Sequence, residues 1–151
     1  MKINVEMMPE YEIAYIRKIG SYGLGNIQTM EKLKTWAMAN ALLNDESIIL
    51  GIPWDNPETT KPEDCRYDAC LIVEKDQLIN YNDVKKGKIC EGEYAVFDIE
   101  HTAEAVEKAW HELFMELSIH GYKMDDSKPI MERYANKMVK NHKCEICVPI
   151  G

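Results

Sequence analysis

The chain has 151 residues, of which 46% are hydrophobic and 29% charged, with a formal net charge of -8. This is the composition of one compact globular domain, or of two half-size modules sharing a core. It excludes a membrane-spanning helix, because no run of about 18 apolar residues occurs, and it argues against direct nucleic-acid binding, which needs a basic face.

The first predicted strand covers Tyr11 to Ile19, where apolar and polar positions alternate, and Gly20-Ser21-Tyr22-Gly23 breaks it. A helix is expected from about Asn26 to Leu43, with Ile27, Met30, Leu33, Ala37 and Ala41 as its apolar stripe. Strand Ile48 to Ile52 runs into Pro53-Trp54-Asp55-Asn56-Pro57, which is turn chemistry. Another strand follows over Arg66 to Glu74. Asp76 to Lys88 is polar, carries Asn80-Tyr81-Asn82-Asp83 and reads as a hinge, with Lys85-Lys86-Gly87-Lys88 in a turn. A strand from Gly92 to Ile99 then leads to Thr102, which can cap a helix from Ala103 to about His120 that Gly121 can end. Its stripe is Val106, Ala109, Trp110, Leu113 and Leu117. Strands Ile130 to Ala135 and Cys144 to Ile150 complete the chain, with the basic connection Lys137 to Lys143 between them.

The second half repeats the plan of the first. A shift of roughly 80 residues lays Ile13-Ala14-Tyr15-Ile16 over Tyr94-Ala95-Val96-Phe97, and a slightly smaller one lays Tyr67 to Val73 over Cys144 to Ile150. Each half is strand, helix, strand, strand. The expected body is therefore α+β, with sheet strands under two helices and a seam between tandem modules, and such seams often hold small ligands. Module one is expected at about 1–75 and module two at about 89–151.

The N-terminus turns polar at once and lacks the apolar core of a secretory signal, so a cytoplasmic location is expected. The five cysteines are then expected as free thiols. Cys144 and Cys147 are three apart on a strand and point to opposite faces, which disfavours a shared metal. His101, His111, His120 and His142 have no ligand spacing, and no phosphate-binding Gly-rich loop, nucleophile elbow or paired-carboxylate pattern appears. Neither a metal nor a cofactor is expected.

Five segments carry a family resemblance. Cys65-Arg66-Tyr67-Asp68-Ala69-Cys70, Gly92-Glu93-Tyr94-Ala95-Val96-Phe97 and Pro129-Ile130-Met131-Glu132-Arg133-Tyr134 resemble the GyrI-like, or bacterial effector-binding, domain. The loop Gly51 to Pro57 and the terminal Glu145 to Ile150 are similar to it as well, so the resemblance spans the whole chain in register. It implies two strand-helix-strand-strand modules about a pseudo-two-fold axis, an antiparallel sheet covered by two helices, and a cleft between modules. It also implies a stand-alone form of a domain otherwise fused to DNA-binding modules in drug-responsive regulators. The expected partner is a small organic ligand, amphipathic and cationic. The alternatives are a hydrolase using a cleft glutamate and tyrosine, or a protein-interaction module that meets a partner such as DNA gyrase or a separate regulator. Fold kinship does not choose among them.

The sharpest site candidate is Glu132, which alternates with Ile130 and Tyr134 and so shares a strand face with the Tyr134 ring. By resemblance, this glutamate lines the ligand cleft. Trp54, Tyr67, Tyr94, Trp110 and Tyr134 fall on elements that the duplication would gather at one seam. Rings over a cation contribute about 0.5–2 kcal/mol each. For Trp110 the helix stripe also offers a plain core role, and for Trp54 the Pro-rich loop offers a rim or lid position. Tyr67 and Tyr134 are the better ring candidates, because a buried phenol needs a polar partner. Asp68, beside Tyr67, points the other way and is expected to be structural or surface.

Overall fold

A computed structural model describes residues 2–79 and 82–151, so Asn80 and Tyr81 of the expected hinge lie outside the described residues. The elements are β1 (Lys2–Met8), β2 (Tyr11–Ile19), α1 (Leu24–Ala39), β3 (Ile48–Pro53), β4 (Arg66–Val73), β5 (Lys85–Ile89), β6 (Gly92–Glu100), α2 (Ala103–Ile119), β7 (Met131–Ala135), α3 (Asn136–Val139) and β8 (Lys143–Pro149). A single 3-10 turn, Pro62–Asp64, precedes β4. Among the described residues no helix is long and apolar enough to cross a membrane.

The eight strands form one antiparallel sheet in the order β1-β6-β8-β7-β3-β4-β2-β5. The expected duplication is laid out symmetrically in it: β2, β3 and β4 with α1 on one side, β6, β7 and β8 with α2 on the other, meeting at the β3–β7 seam. Two strands were not anticipated. β1 continues β6 in the second half of the sheet, and Lys85–Lys88, expected as a turn, lie in β5, which continues β2 in the first half. Lysines on β5 suit an edge, where charge discourages pairing with another chain.

Only Pro9 and Glu10 separate β1 from β2, although five strands lie between them in the sheet. Flat, that separation would be about 29 Å at 4.8 Å per strand. Three residue steps reach at most about 11 Å. Cys90 and Glu91 make the same short crossing from β5 to β6. The sheet must therefore curl until its ends approach. The curl buries a cluster that includes Met8, Leu50, Ile52, Cys70, Val96 and Met131.

The other sheet face carries the helices. On α1, Thr29, Leu33, Trp36 and Ala37 are buried, with Leu33 and Ala37 against Ala14, Ile49 and Leu71. The helix begins two residues before the expected Asn26 and stops at Ala39, short of Leu43; Ile27, expected in its stripe, is 61% exposed. The register of Leu33 and Trp36 turns Ile27 out to the edge of the helix. On α2, Ala109, Leu113 and Leu117 are buried against Phe97, Ile146 and Val148, as the stripe requires. The Thr102 side chain accepts a hydrogen bond from the Ala105 N–H at 3.1 Å, and Gly121 takes a left-handed φ of 76° just past the helix end. Cys144 and Cys147 fall on opposite faces, one under α2 and the other inside the curl.

Candidate functional site

The site lies at the seam on the helix-covered face. The β3–β7 register sets Gly51 directly opposite Glu132, and Ile49 opposite Tyr134. The offset that lays Tyr67 over Cys144 also lays Ala69 over Ile146, and these two are the cross-strand partners of Gly51 and Glu132. Gly51 and Glu132 are thus equivalent positions of the two modules, and the pseudo-two-fold axis passes between them. One module supplies a carboxylate there and the other supplies space. A Cβ on Gly51 would sit 2.7 Å from the Tyr67 hydroxyl oxygen and 3.2 Å from Glu132 Oε1.

Glu132 is held by two neutral donors. The Trp110 indole N–H donates to Oε2 at 2.7 Å, and the Tyr134 hydroxyl donates to Oε1 at 3.0 Å. Among the described residues no basic side chain pairs with it. Burial pushes its carboxyl above the usual range, and the two hydrogen bonds pull only part of the way back. The phenols of Tyr67 and Tyr134 are both pushed up, by burial first and then by the Glu132 charge. They therefore stay protonated at neutral pH and serve as donors rather than as bases. Among the described residues the Tyr67 hydroxyl has no hydrogen-bond partner, which leaves a donor facing the cleft beside the carboxylate.

Two lobes open on either side of this centre, and Asn26, Tyr67 and Glu132 line both. Lobe two, of about 750 Å³, is walled by Trp110 and Phe114 of α2, by Tyr22, by Trp54 and its loop, and by Ile130. Lobe one, of about 290 Å³, is walled by Met30, Glu31 and Lys34 of α1, by His101 and by Tyr134. The His101 and Tyr134 rings lie 5.5 Å apart.

The loop that closes lobe two is anchored from below. Asp68, on the curled face of β4, accepts from Arg17 Nε and Nη2 at 2.8 Å each and from the Trp54 indole N–H at 2.7 Å. Asp55 accepts from the Arg66 guanidinium at 3.0 and 2.9 Å, which holds its carboxyl below the usual range. Tyr22 ties the same loop down, donating to the Arg66 carbonyl at 2.7 Å and accepting from the Asp55 N–H at 3.0 Å.

Of the six expected site residues, Glu132, Tyr134, Tyr67 and Trp110 meet at the seam. Trp54 lines lobe two at 37% exposure, but its N–H is committed to Asp68 and the guanidinium groups of Arg17 and Arg66 already lie over its ring. Tyr94 is not brought to the cleft. It is 1% exposed inside the curl, because strand alternation sends it to the face opposite that of Ala95 and Phe97. Asp68 is structural, though buried rather than at the surface. Gly51, Met30, Phe114, His101 and Lys34 were not singled out as candidates. Gly51 alone carried a readable signal, since a glycine inside a strand marks close approach.

A curled antiparallel sheet with two helices flanking a cleft at its pseudo-two-fold seam is the architecture of a ligand-holding module. The chain belongs to the GyrI-like family of small-molecule binding domains, whose family model matches residues 1–151. It is 42% identical over 151 residues to YosT of Bacillus subtilis (strain 168), an SPbeta prophage-derived protein named as a candidate transcriptional regulator, and the match covers 99% of each chain. Among solved structures, it superposes on the C-terminal domain of EcmrR with a TM-score of 0.74 at 15% identity, over 99% of this chain and 97% of that one. It is also similar to SAV2435 in complex with tetraphenylphosphonium, with a TM-score of 0.60 at 14% identity, over 100% of this chain and 94% of that one. At these identities the two structures establish the fold.

Proposed function

We propose that the seam cleft binds amphipathic organic cations, and that the protein acts as a sensor or scavenger of such molecules. The observation that carries this reading is Glu132, a largely buried carboxylate whose oxygens, among the described residues, are met only by neutral donors. A buried carboxylate without a cation is costly, and an incoming organic cation supplies the missing charge. Trp110, Tyr67 and Tyr134 surround it with rings, each worth about 0.5–2 kcal/mol to a cation placed over its face. With Asp55 already paired to Arg66, the mouth of lobe two adds Glu58 and Asp126 against Lys128, which leaves a small excess of negative charge at the entrance. The tetraphenylphosphonium held by SAV2435, a protein of the same fold, supports the same class of ligand.

The test is a fluorescence titration with acridine orange, a lipophilic cationic dye, on the native protein and on Glu132→Gln. Saturable binding that is lost in the variant is the expected result. Equal binding by both proteins, or none by either, would overturn the reading. Hydrolysis of an activated ester supplied in place of the dye, abolished in Glu132→Gln, would replace binding with catalysis.

A further inference from the structure

The two lobes occupy equivalent places in a duplicated molecule, yet their walls have diverged. The offset that lays Leu33 over Leu113 and Ala37 over Leu117 also lays Met30 over Trp110 and Lys34 over Phe114. At matching positions lobe two therefore presents an indole and a phenyl ring, while lobe one presents a thioether and an ammonium group. The ammonium is only loosely held, with Glu31 at 4.0 Å. Lobe one also holds the His101 ring. Both lobes meet at Glu132, so one molecule centred on the carboxylate extends into both.

We infer that the ligand is bipartite: a flat aromatic body in lobe two, a protonated nitrogen at Glu132, and a short hydrogen-bond-accepting arm, such as a carbonyl or carboxylate, that lobe one receives through Lys34 and His101. This rests on the proposed cation site and narrows its ligand class. Lobe two has the volume and the rings for a fused tricyclic body. Lobe one is well under half that size and presents Met30 and Lys34 where lobe two presents Trp110 and Phe114, so its wall suits a polar arm rather than a second stacked ring system. Its Lys34 ammonium is a cationic donor, whose hydrogen bonds to an acceptor are the stronger kind.

The experiment compares 9-aminoacridine with 9-aminoacridine-4-carboxamide by fluorescence titration of the full chain. The carboxamide is expected to bind about tenfold more tightly, the equivalent of one good hydrogen bond. That ratio should collapse toward one in Lys34→Met, and in Met30→Trp, which fills lobe one while keeping the lysine. Equal affinities in the native protein, or a ratio that survives both substitutions, would overturn the bipartite ligand while leaving the cation site standing. If neither acridine binds, the cation site falls and this inference with it. Thermal unfolding of each variant keeps loss of fold distinct from loss of the ratio.

Discussion

Gly51 and Glu132 face each other across the β3–β7 seam and are also each other's counterparts in the duplication. A symmetric ancestor with the same residue at both positions would have two carboxylates in contact or none. Two carboxylates so close repel strongly, and one of them would be forced to stay protonated. The asymmetric pair gives the cleft one negative charge and room beside it for a ligand.

That relationship makes Gly51→Ala a sensitive probe. The new methyl group would lie 2.7 Å from the Tyr67 hydroxyl, so Tyr67 or the seam must move. Overpacking of this kind costs about 1–3 kcal/mol. Urea unfolding should show that loss, and cationic dye affinity should fall with it. An unchanged midpoint and affinity would mean that the seam is softer than its packing suggests.

The raised carboxyl of Glu132 sets a pH dependence whose sign can be worked out. Its folded pKa lies above the unfolded value, so the folded state binds more protons across the window between them. Stability therefore falls as pH rises through that window, and Glu132→Gln removes this slope. Cation binding runs the other way. It requires the charged form, weakens as pH drops through the raised pKa, and releases protons within the window. Calorimetry in two buffers of different ionisation enthalpy reads that release directly, and identical enthalpies in both buffers would contradict it.

Trp110→Phe keeps a ring on α2 but deletes the N–H that meets Glu132 Oε2 at 2.7 Å. A hydrogen bond to a charged group is worth about 1.5–3 kcal/mol. Its loss should raise the Glu132 pKa further and weaken dye binding by about tenfold, more at pH 6 than at pH 8. A loss equal at both pH values would assign Trp110 to packing alone.

Arg133 lies on the other face of β7 and stitches the curl. It donates to Glu6 at 2.8 and 3.0 Å and to Glu145 at 2.8 Å, and it is nearly buried. Removing the arginine leaves Glu145 mostly buried without its cation, while Glu6 is 38% exposed and can be solvated, so the cost falls below that of a wholly buried pair, at about 1–3 kcal/mol. Arg133→Met should show this in denaturant unfolding at pH 7. Glu6 has its carboxyl lowered first by the hydrogen bond from Arg133. Its contribution is present above its unfolded pKa and is lost as pH falls through the lower folded value, so the variant's deficit should shrink toward pH 3.

The repeat of strand, helix, strand and strand was readable because alternation and helical period are local properties of the chain. Glu132 and Tyr134 shared a predicted face for the same reason. β1 and β5 were missed because Lys2–Met8 and Lys85–Ile89 are edge strands, whose pairing partners, not their own patterning, make them strands. Tyr94 was misplaced because the residues alone do not say which face of a strand meets the cleft. Only pairing with β1 and β8, and the curl that follows, sends it inward. The anchoring of Trp54 by Asp68 joins residues 14 apart through tertiary geometry and left no local trace.

The edge strand β1 interlocks the two modules. It completes the second half of the sheet but is joined through two residues to β2 of the first half, so no continuous segment carries the second half with its sheet intact. Melting should accordingly be a single cooperative event and not two. A ligand bound at the seam then protects every strand at once. At a hundred times its dissociation constant it adds about 2.7 kcal/mol to the whole molecule, so occupancy of one small cleft raises the stability of the entire chain.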